Sequence, residues 1–424
     1  MRNSLVSDGV PVAETPAAAG DWWGEAERCR RLVQLEPLKA AHWSNLANAL
    51  WLHGEPEPAL PAARRAVALD PAHPVVWRCL ANVLQDLGCF EDSLAAYERS
   101  LCLLHDPATA FSASKVLQGL GRFEQAYLLA EQRLSKPGFS VYRPGPYWQG
   151  WPQVQRLWVW SEQGFGDVLQ HLRWLVPLLQ RGCRVTLELE PALVPLVAEG
   201  LRWAGSLHVQ PREAVPPPLP AGACHGPLLS LPGLLGGAPL RELGSCLRLP
   251  IADSSPARQR PRVGLIWASG QFLDRHVLER EYRRKSLLGP PLQSLLNALA
   301  TRPLDLVALQ FGADRQAPPW IGRFAAELPL EADFAVQARW LQTLDLVLSV
   351  DTAAAHLAGT LGLPVWILLP WAAEARWQRG RSDTPWYPSM HLLRQPANND
   401  WYGLVRLLLA QLDLWLTSRL NSAS

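Results

Sequence analysis

The stretch DLVLSVDTAAAHLAGTLGLPVWILLP, residues 345–370, decides the fold of the larger part of the chain. It reads as strand, helix, strand. An apolar run ends at the polar pair Asp351 and Thr352, small residues then carry a helix to about Leu361, Gly362 is its C-terminal stop, and a second apolar run follows Pro364. Two buried strands joined by one helix predict a parallel pair. The helix start presents unpaired backbone N–H groups and is therefore an anion site by construction. Thr352 and His356 are four apart, so both point along one face toward a ligand at that end. The plainer reading of the same residues is an N-cap and a packed histidine.

Outward from this stretch the alternation continues. Strands are predicted at VGLIWA (263–268), LDLVALQ (304–310), DLVLSV (345–350) and VWILLP (365–370). Upstream, LWVWS (157–161) and RVTLEL (184–189) read as strands, with helices over 167–179 and 191–203. The polar stretch ADSSPARQRP (252–261) separates the two groups. Two such units in series imply a cleft between them, so residues 156–255 and 256–424 are assigned as two α/β domains. A Pro-, Gly- and aromatic-rich segment, 136–155, reads as a linker packed on the domain that follows.

The first third has a different period. Trp43, Leu46, Ala47, Leu50, Gly54, Ala59, Ala63, Ala66 and Pro71 are matched 34 residues on by Trp77, Leu80, Ala81, Leu84, Gly88, Tyr97 and Ser100. A worn third copy carries Phe111, Gly121, Phe123 and Ala126, and residues 22–37 read as the second helix of a partial copy. This spacing resembles the tetratricopeptide repeat. Residues 21–135 are thus expected to form a helical solenoid of about three and a half units with a concave surface able to grip peptide, after a disordered tail at 1–20. Most of these apolar residues are expected to be core.

Composition narrows the partners. The 424 residues carry 40 basic against 38 acidic side chains, net +2, so no global field favours nucleic acid or an anionic membrane. The run from 344 to 371 is broken by Asp345, Asp351, His356 and Pro364 and does not read as a transmembrane segment. Seven scattered cysteines contain no C-x-x-C pair, which argues for reduced cytoplasmic thiols over a disulfide framework or structural zinc. No cluster has metal-ligand spacing, and the first residues do not read as a signal peptide.

Two further motifs bear on chemistry. SEQGFGDVLQHLRWL (161–175) places Gly164, Gly166 and Asp167 between a strand and a helix, where the glycines let backbone approach a ligand. Simple helix capping by Asp167 and Gln170 is the alternative. EREYRRKSL (279–287) gathers Arg280, Arg283, Arg284 and Lys285, and Lys285 is one of only four lysines. These cations, a strand-end glycine and a helix start are placed to converge on a pyrophosphate, although a solvated charge run has the same composition.

The order SEQGFGDVLQ, CHGPLLSLP (224–232), VGLIWASG (263–270), RRKSL, DLVLSVDTAAAHLAGTLGLPVWILLP and RSDTPWYPSM (381–390) resembles the bacterial tetratricopeptide-containing glycosyltransferases. Their catalytic part is similar to lipopolysaccharide heptosyltransferases and, more distantly, to O-linked N-acetylglucosamine transferases. The resemblance implies a tetratricopeptide solenoid followed by a GT-B fold, two facing Rossmann-like domains with a nucleotide-sugar as donor substrate and no separate cofactor. It implies an inverting, metal-independent transfer in which Asp167 is the candidate base and His225, in CHGPLLSLP, a second candidate. The implied donor-binding set is Gly164, Gly166, Arg284, Lys285, Ser286, Gln310, Asp351, Thr352 and His356. The acceptor is expected to be a protein held by the repeats, which are expected to lie outside the donor cleft. A scaffold that has lost turnover, and a lipid-glycan transferase whose repeats only recruit partners, remain open beside it.

Overall fold

The computed structural model describes residues 21–136, 142–150, 155–250, 259–270, 276–316 and 324–423. The tail at 1–20, residues 137–141 and 151–154 of the 136–155 linker, and most of the 252–261 linker lie outside the described residues.

The repeats form as the spacing requires. Seven helices, Trp22–Leu35, Ala40–His53, Pro56–Leu69, Pro74–Asp86, Phe90–Leu103, Pro107–Gly119 and Phe123–Ala130, pack in antiparallel succession. Their small residues are buried, with Ala47, Ala59, Ala63, Ala66, Ala81 and Ala113 at the helix contacts and Leu46, Leu50, Leu80 and Leu84 filling the grooves. Three of the helices begin with proline at a first-turn position, where its missing N–H costs nothing. Repeat-related tryptophans also bond alike: Trp43 Nε1 donates to Pro37 O and Trp77 Nε1 to Pro71 O, each at 2.9 Å.

Two parallel sheets follow. The first contains β1 (Arg156–Trp160), β2 (Arg184–Leu189), β3 (Leu207–Pro211) and β4 (Cys224–Pro227) in the order β3-β2-β1-β4. The second contains β5 (Arg262–Ile266), β6 (Asp305–Ala308), β7 (Ala326–Glu327), β8 (Leu346–Val350), β9 (Val365–Leu369) and β10 (Met390–Arg394) in the order β10-β9-β8-β5-β6-β7. Every strand pair is parallel. The α/β pairing expected from the sequence is therefore present, with strands β3, β4, β7 and β10 added.

The opening stretch folds as read: β8, then the helix Ala353–Thr360, then β9, with Gly362 at φ +75°, a conformation that favours glycine. The final helix, Trp401–Ala423, covers the outer face of the second sheet with Leu404, Val405, Leu408, Leu412 and Leu416. Among the described residues no helix is long and apolar enough to cross a membrane. The inner face of the second sheet shares one continuous core with the first α/β unit, so the two units meet face to face across packed side chains.

Candidate functional site

The central strands of the two sheets, β1 and β8, both run toward the seam. Beyond β1 the turn 161–164 leads into the helix Phe165–His171, and beyond β8 the turn at Asp351 leads into the helix Ala353–Thr360; these two helices pack on each other. Gly166 is required for that approach. A Cβ there would stand 2.9 Å from His356 Cδ2 and 3.6 Å from Ala353 Cα. Its purpose in this structure is thus close contact between domains. Gly164 is the N-cap of its helix, with extended backbone, and its N–H donates weakly to Asp167 Oδ2 at 3.4 Å. Just before it, Gln163 holds φ at +67°, an uncommon conformation for a residue with a Cβ.

A chain of partly buried charges crosses the seam. Arg376, on the loop after β9, donates through Nη2 to Asp167 Oδ1 and to Glu374 Oε1, both at 2.7 Å, and through Nη1 to Gln170 Oε1 at 2.8 Å. Lys285 continues the chain, its Nζ 3.3 Å from Glu374 Oε2 and 3.0 Å from Asp351 Oδ2. Burial would raise the Asp167 carboxyl, but the Arg376 guanidinium outweighs it and holds the group below its ordinary value. Burial opposes the Lys285 charge, yet Asp351, Glu374 and Glu281 together hold the ammonium above its usual range. In a poorly screened interior such alternation of sign favours the ionised forms of Asp167, Glu374, Arg376 and Lys285.

His356 sits inside this arrangement without carrying charge. Its Nδ1 is 2.9 Å from Tyr387 Oη, its ring stacks on Trp377 with centroids 5.3 Å apart, and its Nε2 is 3.8 Å from Asp351 Oδ1. Burial, aided by Arg376, pushes its pKa down to about 4. Thr352 is the N-cap of the following helix, accepting from Ala355 N at 3.2 Å.

The other expected donor-binding residues are placed differently. Gln310 is buried and spent on the backbone: its Oε1 accepts from Trp267 N and Ala268 N at 3.0 and 2.9 Å, and its Nε2 donates to Ala268 O and Phe311 O. It fixes the loop leaving β5. Ser286 Oγ accepts from Ser269 N at 3.1 Å and is likewise buried. Arg284 pairs with Glu281. Arg280 leaves the expected basic cluster altogether, donating to Trp51 O at 2.9 Å and pairing with Asp86, both in the repeats.

His225 does not reach the seam. It lies on β4 with both ring nitrogens engaged, Nδ1 by Trp160 Nε1 at 3.3 Å and Nε2 near Gly145 O at 3.3 Å. It is buried behind the linker, with Tyr147 against its ring. Parallel pairing of β4 with β1 turns this side chain into the first domain, an orientation that the one-dimensional pattern CHGPLLSLP did not reveal.

The repeats do not stand apart from the cleft, contrary to the sequence-based expectation. Phe111, Lys115, Gln118, Tyr127 and Arg133 form one wall of a cavity whose other walls include Gln163, Asp167, Gln170, Glu374 and Arg376. About 90 Å³ of this cavity has room for solvent. Arg133 is 1% exposed and bonded to Glu162 of the strand-end turn by Nε at 3.2 and 3.1 Å, and to Ser230 Oγ at 2.8 Å. A cut after residue 135 would remove it. Arg376 and Glu374 escaped sequence reasoning because they lie on a loop without a recognisable motif, and Lys115 and Arg133 because the repeat pattern marks packing positions and not the polar side chains between them; all four meet the site only through tertiary packing.

Comparison with solved structures gives low identities. The chain resembles the Escherichia coli ADP-heptose lipopolysaccharide heptosyltransferase II at 12% identity and TM-score 0.40, over 62% of this chain and 99% of that one. It resembles the iron-containing dodecameric glycosyltransferase TibC of enterotoxigenic Escherichia coli H10407 at 13% and 0.44, over 65% and 78%. TTC0263, a tetratricopeptide protein of Thermus thermophilus, matches at 20% and 0.25, over 26% and 63%. With TM-scores below 0.5, none of these likenesses assigns an activity. No curated protein matches the chain. The tetratricopeptide family model matches residues 40–83, the hairpin of Ala40–His53 and Pro56–Leu69 together with most of the helix Pro74–Asp86.

Proposed function

We propose that the chain is a glycosyltransferase that moves a sugar from a nucleotide-sugar to an acceptor polypeptide by an inverting, metal-independent mechanism, working in the cytoplasm. The observation that supports this is the convergence of Asp167, Arg376 and Lys285 where the carboxyl ends of two facing parallel sheets meet, the usual ligand position in open α/β folds. In this reading Lys285, Arg376 and the helix start behind Thr352 take up the charge of the leaving nucleoside diphosphate. The acceptor oxygen bonds to the anomeric carbon as the bond to the diphosphate oxygen breaks, and the acceptor proton passes to Asp167. Drawing Arg376 onto the phosphates would release Asp167 from its ion pair and strengthen it as a base at the moment it is needed.

A second reading, a platform that binds without turnover, is favoured by one observation. The cavity has about 90 Å³ of room, against roughly 300–1,000 Å³ for ordinary ligand sites. A donor must therefore open the seam before it can react. The test is a thermal-shift series with nucleoside diphosphates and nucleotide-sugars, followed by measurement of sugar release. Stabilisation with turnover that falls about 10²- to 10⁴-fold in Asp167→Asn supports the enzyme. Stabilisation without turnover supports the platform, and no stabilisation by any nucleotide rejects both.

A further inference from the structure

Two of the four lysines share the ring of Phe111, which with Lys115 lines the repeat wall of the cavity. Lys115 Nζ lies 5.2 Å and Lys136 Nζ 4.9 Å from the centroid of Phe111. The two ammonium groups are thus within about 10 Å of each other, no farther than the screening length at about 0.1 M salt. Neither forms an ion pair with a described carboxylate. Asp106, which attracts Lys136, is already saturated: it accepts from Ala108 N, Thr109 N and Thr109 Oγ1 and pairs with Arg78 at 3.3 Å. Glu374 is held by Arg376 and Lys285. Two like charges within about 10 Å, with no described carboxylate at ion-pair distance and with Asp106 and Glu374 already engaged by other cations, favour an added anion beside the cavity.

We propose that Lys115, Lys136 and Phe111 form a subsite that receives a side-chain carboxylate of an acidic acceptor peptide, which rests on the glycosyltransferase reading for the word acceptor. It forms the repeat side of the cavity that Asp167, Glu374 and Arg376 close from the α/β side. Lys115 and Phe111 belong to the repeat helix Pro107–Gly119, whereas Lys285 and Arg376 belong to the second α/β domain. The ring that both lysines touch suits a peptide, whose methylene groups can lie against it while its carboxylate meets the cations as their flexible stems draw in.

The experiment uses the full chain and fluorescence anisotropy with a short fluorescein-labelled peptide of alternating serine and glutamate, its glutamine counterpart, and inorganic pyrophosphate as competitor. Two charge-assisted contacts predict roughly tenfold or greater preference for the glutamate peptide. Lys115→Met and Lys136→Met should each remove most of that preference with the melting temperature retained, and Lys39→Met, on the exposed pair with Glu36, should not. Equal binding of the two peptides, or an unchanged preference in both variants, overturns the proposal. Pyrophosphate that displaces the glutamate peptide from the normal chain but binds the Met variants poorly assigns the lysines to phosphate and overturns it as well. A retained peptide preference in a chain without sugar turnover would sink the enzymatic reading alone.

Discussion

Replacing Arg133 by methionine tests whether the repeats are structurally inseparable from the α/β domains. The guanidinium is 1% exposed and makes bonds to Glu162, Glu131 Oε1, Ser230 Oγ and Ala130 O; Glu162 is itself only 6% exposed. Methionine keeps much of the packing volume but strands the Glu162 carboxylate. Breaking one side of a buried pair costs about 3–5 kcal/mol, a large part of the roughly 5–15 kcal/mol that holds a domain together, so the melting temperature should fall by about 10 °C.

The loss should depend on pH in a definite direction. Burial already raises the Glu162 carboxyl above its ordinary value despite Arg133. Without Arg133 it rises further, so the folded chain holds a proton that the unfolded chain releases, and stability falls as pH increases through the raised folded value. The deficit should be largest at about pH 8 and shrink toward about pH 5. Adding Glu162→Gln should recover most of it, as expected for two groups in contact. Differential scanning fluorimetry and urea melts across pH measure all three quantities. A single variant that melts within about 1 °C of the parent at pH 8 would refute the claim that this pair joins the two parts.

Gly166→Ala should destabilise by about 1–3 kcal/mol, because its Cβ meets His356 and the Ala353 backbone and the seam must spread; urea melts equal to the parent would mean that the seam is loose. His171 and His356 are buried, which depresses their pKa values to about 3 and about 4. A depressed histidine is lost as a source of stability when pH falls, so stability should drop from about pH 6.5 toward pH 4 with a slope approaching about 1.4 kcal/mol per unit for each. Exchanging His356 for phenylalanine should remove one of the two slopes, and an unchanged acid limb would reject the assignment.

The sequence alone determined the local architecture, because the features that specify it are periodic or chemically singular. Small residues every few positions with Trp and Leu between them can bury a helix only against another helix, so the hairpins of 40–130 were legible before any contact was known. Likewise, DLVLSV and VWILLP are apolar on both faces and bounded by turn residues, and they became β8 and β9. Strand β4 was harder to see, since CHGP is short and holds a glycine and a proline, and β10 lacks alternation.

At the candidate site the sequence supplied Asp167, Lys285, Asp351, Thr352 and His356, each beside a strand end or in a charged motif. It did not supply their partners. Arg376 and Glu374 come from a loop without periodicity, Arg280 turns away to Asp86, and His225 faces inward because its strand pairs with β1. The closure of the seam, and the entry of Lys115 and Arg133 from the repeats into it, were decided only in three dimensions. The physical reason is the range of the forces involved. Periodicity records which face of an element is apolar, but a charge or polar group finds its partner wherever packing brings an opposite charge or hydrogen-bond group within a few ångströms, and that partner can be more than a hundred residues away in the chain.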